Sequence, residues 1–343
     1  MTLTLPTPQM PDPASVPSLK WGIIGTGIAR SFVMSLAQVT SQRVVAVTAR
    51  DAGKTQAFAS ELGIERVHAS VDALIADPEV EVVYIATPHP LHRQQALAVI
   101  AAGKHVLIEK PLAMSADEAR EITTAGAAAG VLVMEAMWTR YLPQADVVRR
   151  VIADGIIGDV HRVTADFGFV CAYDPLSRMW APELGGGALL DAGIYPISFA
   201  SSILGSPSRI EVAGVEGPGG VDAAADILLV TPTGRALVST SLMTPLPTVA
   251  TVNGTEGMIG IAAPFFGPSA VTVVCGAASW DGERAEFRDD HLAKSNSGIG
   301  LQATAFASYV TEGRLESPLH PHQEVIDVLH TIDVARATIQ SGC

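Results

Sequence analysis

The sequence predicts two domains: an α/β domain with a doubly wound parallel sheet, followed by an α+β domain with an antiparallel sheet. Across residues 19–134, short apolar runs rich in β-branched residues alternate with amphipathic stretches, as in parallel sheets with helical crossovers. After about residue 142, strand-like segments follow one another with few helices between them. The length of 343 residues also favours two domains.

The predicted elements follow these two patterns along the chain. In the first half, strands are expected at 19–24, 44–49, 80–86, 105–109 and 131–134, and helices at 29–39, 54–62, 91–102 and 116–129. In the second half, strands are expected at 160–170, 210–215, 225–231, 235–243, 250–254, 257–262 and 270–275, and helices at 188–204, 301–312 and 322–340. We therefore place a flexible, proline-rich tail at 1–18, a dinucleotide-binding domain with a doubly wound sheet at 19–142, and a second, α+β domain at 143–343.

Composition excludes several classes of protein. Hydrophobic residues make up 48% of the chain and charged residues 17%, a balance that favours folded domains over disorder. The formal net charge of −13 is opposite in sign to the surfaces that bind phosphate-rich polymers. Neither nucleic acid nor an anionic membrane is therefore an expected partner.

Cysteine usage and targeting signals predict a cytoplasmic protein. Cys171, Cys275 and Cys343 are far apart and form no CxxC pair, as expected in a reducing compartment. The tail lacks the basic and apolar regions of a signal peptide. The uncharged stretch 257–280 is interrupted by glycine and proline, so strands and turns explain it better than a membrane span.

The first predicted strand ends in a turn typical of dinucleotide sites. In Gly25-Thr26-Gly27-Ile28-Ala29, Gly25 permits the tight turn and Gly27 lets the backbone approach a pyrophosphate at the start of a helix. The third glycine of the usual GxGxxG spacing is replaced by Arg30, and the small residue Ala29 comes one position early. The alternative is a turn without a ligand, which the strand–turn–helix context disfavours.

The end of the second predicted strand bears on the choice of cofactor. A carboxylate there would bind the ribose hydroxyls of NAD(H), but the strand ends at Ala49-Arg50 and the first acid is Asp51. Arg50 can form a planar, charge-assisted pair with a 2′-phosphate, so the sequence favours NADP(H) over NAD(H). The alternative is a solvated Arg50 paired with Asp51.

Residues after the strand at 80–86 are expected beside the cofactor. Loops at the carboxyl ends of parallel strands line the ligand crevice, which places Thr87, Pro88 and His92 there. His89 and His92 have no third ligand nearby, so no metal site is predicted. For both histidines a structural role is expected rather than a catalytic one.

Glu109-Lys110-Pro111 ends the strand at 105–109 and carries the chemical inference. This position would hold the Lys110 ammonium, with Glu109 beside it, at the nicotinamide edge of the crevice. Burial near a cationic nicotinamide would lower the pKa of Lys110 and suit it to proton transfer. The Lys110–Pro111 bond is a candidate cis peptide, and a surface lysine at a strand end is the alternative interpretation.

Trp138 and Arg140 follow the strand at 131–134 and are candidate substrate contacts. An aromatic face and a guanidinium suit a sugar ring or an aromatic diol. The alternative for Trp138 is packing at the domain junction.

Three motifs together resemble the glucose–fructose oxidoreductase/inositol dehydrogenase/MocA (Gfo/Idh/MocA) family in order and spacing across nearly the whole chain. They are Gly25-Thr26-Gly27, Glu109-Lys110-Pro111 and Asp191-Ala192-Gly193-Ile194-Tyr195. The sequences at 135–141 and 253–258 resemble its dihydrodiol dehydrogenase branch, which includes NADP-dependent D-xylose dehydrogenases. The resemblance implies a Rossmann domain joined to a large, open, mostly antiparallel sheet that forms an oligomer interface, hence a homo-oligomer such as a dimer or tetramer.

The same resemblance assigns catalytic roles. It places the catalytic lysine at Lys110 and, where many members have histidine, the acid/base at Tyr195. It implies oxidation of a carbinol in which Tyr195 takes the hydroxyl proton, Lys110 stabilises the oxyanion and Asp191 orients the pair. Whether Lys110 or Tyr195 is the immediate base stays open, as does a buried core role for Tyr195.

The expected function is an NADP(H)-dependent oxidoreductase acting on a carbinol of a sugar or cyclic diol. D-xylose 1-dehydrogenase and trans-dihydrodiol dehydrogenase are the leading candidates. The alternatives are a keto-sugar reductase of the 1,5-anhydrofructose type, an inositol dehydrogenase, and a non-enzymatic nucleotide-binding regulator of the same fold. Lys110, Asp191 and Tyr195 occurring together argue against the regulator.

Overall fold

A computed structural model describes residues 3–295 and 298–342. The strands are β1 (Lys20–Ile24), β2 (Arg43–Thr48), β3 (Arg66–Val67), β4 (Val82–Ile85), β5 (His105–Ile108), β6 (Val133–Glu135), β7 (Val160–Gly168), β8 (Arg209–Glu216), β9 (Asp222–Val230), β10 (Arg235–Ser241), β11 (Ala250–Gly254), β12 (Gly257–Ile261), β13 (Val271–Cys275) and β14 (Glu283–Phe287). The helices are α1 (Ala29–Val39), α2 (Ala52–Leu62), α3 (Val71–Ile75), α4 (His92–Ala101), α5 (Ala116–Ala129), α6 (Pro143–Ala153), α7 (Ile194–Leu204), α8 (Asp290–Ser295), α9 (Leu301–Thr311) and α10 (His322–Gln340).

The first sheet has six parallel strands in the order β3-β2-β1-β4-β5-β6. All four residues of β4 are buried, which explains why this strand is a continuous apolar run rather than an alternating one. The strand order reverses between β1 and β4, where a doubly wound sheet forms its ligand crevice. The predicted dinucleotide-binding fold is confirmed.

The second sheet has eight strands in the order β14-β13-β12-β11-β7-β10-β9-β8. Its strand pairs are antiparallel except for β7 and β10, which run parallel. Burial alternates along β10, where Ala236 and Val238 are buried while Leu237 is exposed. The helix α7 packs against β7 and β10. The predicted large, mostly antiparallel sheet is confirmed.

The described residues form two compact units. The Rossmann unit comprises Pro11–Tyr141 with Asn296–Ile326, and the sheet unit comprises Met1–Met10, Leu142–Ser295 and Asp327–Cys343. The predicted second domain at 143–343 differs from this division, because α9 belongs to the Rossmann unit. Phe306 on α9 packs against Trp21 on β1, with ring centroids 5.1 Å apart, and this contact between distant residues has no local sequence signature.

The amino-terminal segment makes specific hydrogen bonds, unlike the flexible tail expected at 1–18. Within the sheet unit, the backbone N–H of Gln9 donates to Asp146 at 2.8 Å, and that of Leu3 donates to Glu283 at 2.7 Å. Within the Rossmann unit, the Gln42 amide donates to the Pro17 carbonyl at 2.8 Å. These partners lie far away in the chain, so the sequence gives no sign of them.

Among the residues that the structure describes, one helical stretch, Pro182–Leu204, is long and apolar enough to cross a membrane. Within it, 67% of the apolar window is buried inside the structure. Core helices of globular proteins meet the same criterion, so the stretch is only a weak indication of a membrane span.

Candidate active site

The turn after β1 requires glycine at its first position. Gly25 has a φ of +101°, and a Cβ there would lie 2.4 Å from the Ala86 carbonyl oxygen. The Gly25 N–H donates to the Thr48 carbonyl at 2.9 Å. The turn is thereby held between the ends of β2 and β4, at the point where the strand order reverses.

The start of α1 fits a bound pyrophosphate. A Cβ at Gly27 would meet nothing within 4 Å, and no side chain caps the helix at Ile28. The first amides of an uncapped helix attract anions. Thr26 is half-buried, while Ala29 is fully buried and packs in the core. Ala29 thus supplies the small residue needed where the helix approaches the sheet.

Arg30 replaces the third glycine because its side chain lies on the surface. It pairs with Glu61 of α2, and its guanidinium lies 5.8 Å from the centre of the Phe58 ring. The departure from GxGxxG therefore leaves the turn intact.

Arg50 is exposed just beyond β2, and it does not pair with Asp51. Asp51 instead caps α2, accepting the backbone N–H of Lys54 at 3.0 Å. Within residues 3–295 and 298–342, no salt bridge involves Arg50. The alternative interpretation, in which Asp51 neutralises Arg50, is therefore not what the structure shows.

His92 connects the loop after β4 to the loop after β5. Its ring is buried, with Nε2 2.9 Å from the Thr87 carbonyl oxygen and Nδ1 2.9 Å from the Pro111 carbonyl oxygen. Burial lowers the pKa of His92, while hydrogen bonds to the two carbonyls oppose that shift. Pro88 precedes a short 3₁₀ turn, and the Thr87 hydroxyl donates to Gln95 at 2.6 Å.

Lys110 lies two residues beyond the end of β5, and its peptide bond to Pro111 is cis. Lys110 is half-buried, whereas the neighbouring Glu109 is buried. Burial raises the pKa of Glu109 to about 7, although a hydrogen bond from the Tyr84 hydroxyl opposes the shift. A carboxyl group that titrates near neutral pH thus lies next to Lys110 in the chain.

A buried cluster of charged groups, absent from the sequence-based prediction, supports the same loop. The Glu135 carboxylate accepts the Leu112 N–H at 2.7 Å and lies 2.7 Å from His320 Nε2. His320 Nδ1 lies 3.5 Å from Glu324, which pairs with Arg140. Glu135 thereby fixes the backbone at Leu112, two residues beyond Lys110. His320, Glu324 and Arg140, from distant parts of the Rossmann unit, hold Glu135 in turn.

The surroundings of His320 and Glu324 favour the charged form of each side chain. Burial and the Arg140 charge lower the pKa of His320, but its contacts with Glu135 and Glu324 outweigh them, so the net shift is upward. Burial would raise the pKa of Glu324, yet the Arg140 charge and His320 hold it at about 2. Sequence alone offered only the local pattern of two histidines and an acid at 320–324 as a signal.

Arg140 and Trp138 lie together in a short 3₁₀ turn after β6. The Arg140 side chain is buried in its pair with Glu324, which gives it a structural partner besides the predicted substrate contact. Trp138 is half-buried. Their contact with substrate stays a prediction.

In the sheet unit, Asp191 and Tyr195 lie on one helix with an irregular start. A π-helical turn, Leu189–Gly193, runs directly into α7, and Pro196 falls in the first turn of α7, where its missing N–H is tolerated. The Arg178 guanidinium donates to the Asp191 carboxylate at 3.0 Å. The helix predicted at 188–204 is therefore present despite Gly193 and Pro196.

Aromatic rings surround Tyr195, and the sequence analysis did not identify them. The Tyr195 ring stacks on Phe266 with centroids 4.8 Å apart and meets the edge of Phe167 at 5.9 Å. Phe167 lies on β7, and Phe266 follows β12. The only sign of these rings in the sequence was the pair Phe265-Phe266 within the uncharged stretch 257–280.

A doubly wound sheet with an open glycine turn at its switch point is the arrangement of a dinucleotide-binding Rossmann fold. Comparison with known proteins agrees. Residues 19–137 match the family described as "Oxidoreductase family, NAD-binding Rossmann fold", and residues 146–260 match the "GFO/IDH/MocA C-terminal domain". The chain belongs to the GFO/IDH/MocA family, as its motifs predicted.

Individual relatives support the same class. Over 333 residues the chain is 36% identical to the trans-1,2-dihydrobenzene-1,2-diol dehydrogenase of Mus musculus, covering 94% of this chain and 97% of that protein. A levoglucosan dehydrogenase in complex with NADH and levoglucosan shares the fold, with a TM-score of 0.84, 20% identity and coverage of 95% and 98%. So does a 3-ketoreductase from Actinomadura kijaniata in complex with NADP and TDP-benzene, with a TM-score of 0.78, 24% identity and coverage of 94% and 98%. The protein is therefore an enzyme, a nicotinamide-dependent dehydrogenase or reductase.

Proposed function

We propose that this enzyme is an NADP(H)-dependent dehydrogenase acting on a carbinol of a cyclic diol or sugar, with trans-dihydrodiols and aldoses such as D-xylose as first substrates. The observation that carries the proposal is the setting of Tyr195, a phenol that stacks on Phe266, meets the edge of Phe167, and lies on the helix that also holds Asp191. Aromatic faces suit a diol ring or the apolar face of a sugar. The relative at 36% identity is named for a dihydrodiol.

In the proposed reaction, Tyr195 transfers the proton and Lys110 stabilises the developing charge. When bound, the nicotinamide accepts the hydride from the carbinol carbon. Tyr195, as its phenolate, takes the hydroxyl proton directly or through a proton relay, and the Lys110 ammonium stabilises the negative charge that develops on the oxygen. Asp191, whose carboxylate accepts a hydrogen bond from Arg178, orients the proton acceptor Tyr195. In the reverse direction the same residues would reduce a ketone, so the same site could also serve a keto-sugar reductase.

A substrate panel tests the reaction. Oxidation of trans-1,2-dihydrobenzene-1,2-diol, D-xylose and myo-inositol, and reduction of 1,5-anhydrofructose, would be followed by NADPH absorbance. Lys110→Met should lower kcat by at least about 100-fold while leaving the Kd for NADPH within about threefold. Lys54→Met is the control, because Lys54 is a highly exposed lysine on α2 of the same unit. Full turnover by Lys110→Met would contradict the proposed role of Lys110.

A second experiment tests the cofactor preference. Loss of a charge-assisted pair costs about 1.5–3 kcal/mol, so Arg50→Ser should raise the KM for NADP+ by about 10- to 150-fold. The KM for NAD+, which has no 2′-phosphate, should stay unchanged. Arg43→Ser is the matched control, since Arg43 is an exposed arginine at the opposite end of β2. Equal KM changes for both dinucleotides would refute the role of Arg50.

We also propose that the enzyme is a cytoplasmic homo-oligomer, most simply a dimer, formed through the uncovered face of the second sheet. On that sheet Leu237 and Val215 are 46% and 47% exposed, although neighbouring side chains on β10 are buried. Exposed apolar side chains on a broad sheet favour association. Sedimentation equilibrium measures the mass directly, and a monomer at micromolar concentration would contradict the proposal. The free thiols of Cys171 and Cys275 agree with a reducing compartment.

A further inference from the structure

Three glycines, at 185–187, precede the helix that carries Asp191 and Tyr195. The Gly187 N–H donates to the Met179 carbonyl at 3.0 Å, and Gly187 has a φ of +116°. A Cβ on Gly187 would lie 2.4 Å from a carboxylate oxygen of Asp222, the first residue of β9. The missing side chain therefore makes room for an acid from a different element.

Asp222 caps the start of this helix. Its side chain is 3% exposed, and its Oδ2 accepts the Leu189 N–H at 2.6 Å. The first amides of a helix have no partner within the helix, and the residue before it usually supplies an acceptor. Here that residue is Ala188, whose methyl side chain cannot accept a hydrogen bond. Asp222 provides the acceptor from the neighbouring strand instead.

We propose that Asp222 is a positioning residue that holds Asp191 and Tyr195 in place by capping their helix from β9, with Gly187 leaving the space for it. Asp191 comes two residues after Leu189, inside the π-helical turn, and Tyr195 is in the first turn of α7. The inference rests on the proposed roles of Asp191 and Tyr195. Asp222 itself touches no reacting atom in the proposed reaction.

The charge of Asp222 is balanced by backbone amides and one base. Arg336 on α10 lies 3.8 Å from Oδ1, and the remaining partners are the amides of Ala188, Leu189 and Asp222 itself. Burial raises the pKa of Asp222 to about 6, and these contacts oppose the shift. The cap therefore weakens as the pH falls through about 6, because the protonated carboxyl is a poorer acceptor.

Asp222→Asn is the mild test, since asparagine keeps the shape and one acceptor oxygen but has no charge. Near pH 5 its kcat should equal that of the wild type, whose Asp222 is then largely protonated. The ratio of wild-type to variant kcat should rise through about pH 6 to a plateau of about fivefold or more above pH 7. A role in folding alone would leave the kcat of folded Asp222→Asn equal to that of the wild type at every pH, and that result would overturn the proposal.

Hydrogen exchange provides a readout that does not need activity. In Asp222→Ala, amides of the π-helical turn Leu189–Gly193 should exchange at least about tenfold faster, while those of β10 keep their protection. Unchanged protection overturns the inference whether or not the enzyme turns over. If these amides lose protection in Asp222→Ala while kcat is unchanged, Asp222 caps the helix but does not position Asp191 and Tyr195, and the proposal is overturned. Inactivity of the wild type on every panel substrate counts against the proposed function instead, since exchange still reports on the cap.

A pair of glycine variants separates the cap from general strain. Gly187 and Gly205 lie before and after the same helix with φ values of +116° and +75°, so alanine is strained at both. Only at Gly187 would the new Cβ meet Asp222, because a Cβ at Gly205 has nothing within 4 Å. Gly187→Ala should lower kcat and protection as Asp222→Ala does, and Gly205→Ala should leave the kcat of folded enzyme within about twofold. Equal losses of kcat in the two variants would contradict the proposal.

Discussion

Replacing Glu324 by glutamine should destabilise the Rossmann unit in a pH-dependent way. Glu324 pairs with Arg140, whose side chain is only 9% exposed, and lies 3.5 Å from the buried His320. Glutamine keeps the shape of the side chain but removes its charge. Two buried bases would then face a single acid, Glu135, and removing one partner of a buried pair is strongly unfavourable.

The size of the effect follows from the pKa of Glu324. Its surroundings hold that pKa at about 2, against 4.5 for an unperturbed glutamate, and each pKa unit is worth about 1.4 kcal/mol, so the ionised carboxylate contributes about 3 kcal/mol. Because the folded pKa is lowered, this contribution is complete above about pH 4.5 and is lost as the pH falls towards about 2. Glu324→Gln should therefore lower the free energy of unfolding by about 3 kcal/mol at pH 7 and by less near pH 3.

Urea unfolding at pH 7, 5 and 3.5, followed by tryptophan fluorescence, measures this difference, since Trp21 lies in the core of the unit. Glu121→Gln is the matched control. Glu121 accepts two hydrogen bonds from Arg93, at 2.6 and 2.8 Å, but both side chains are close to half exposed. Water screens such a pair, so its loss should matter far less. Equal losses in the two variants, or a loss in Glu324→Gln that is constant with pH, would refute the reasoning.

Two further predictions concern Glu109 and Phe266. Burial raises the pKa of Glu109 to about 7, so its stability contribution is complete below about pH 4.5 and lost as the pH rises through 7. Glu109→Gln should thus raise the urea midpoint at pH 8.5 but not at pH 4, and no gain at pH 8.5 would contradict this. Phe266→Ala removes the ring stacked on Tyr195 and should raise the KM for a dihydrodiol about three- to tenfold in steady-state kinetics. An unchanged KM would mean that Phe266 packs on Tyr195 without contacting substrate.

Most elements with a complete period of apolar residues could be predicted closely from the sequence, although the amphipathic helix α6 was missed. The helices expected at 29–39 and 116–129 coincide with α1 and α5. The strand β3 and the helix α3 were missed because two and five residues are too few to establish a period. The strand β14 was missed because it is an edge strand whose residues are mostly exposed, so it has no apolar face to recognise.

In the candidate site, too, local features could be predicted from the sequence and contacts between distant residues could not. The turn at Gly25 and the positions of Lys110 and Tyr195 could be placed on their elements because turns, strand ends and helix periodicity are local properties of the chain. The contact of Glu135 with His320 joins residues 185 apart, and the cap of Leu189 by Asp222 joins residues 33 apart. The motifs also revealed the family, since order and spacing persist along the chain.

The sequence by itself therefore determined the two sheets, the glycine turn and the elements that carry the proposed catalytic groups. Only the tertiary structure decided that Arg140 is paired with Glu324, that α9 packs beside Trp21, and that Asp222 caps the helix of Tyr195. The physical reason is that the first set depends on interactions over a few residues. The second depends on which buried charges and rings the folded backbone brings within a few ångströms, because a buried charge must find a partner wherever the chain supplies one.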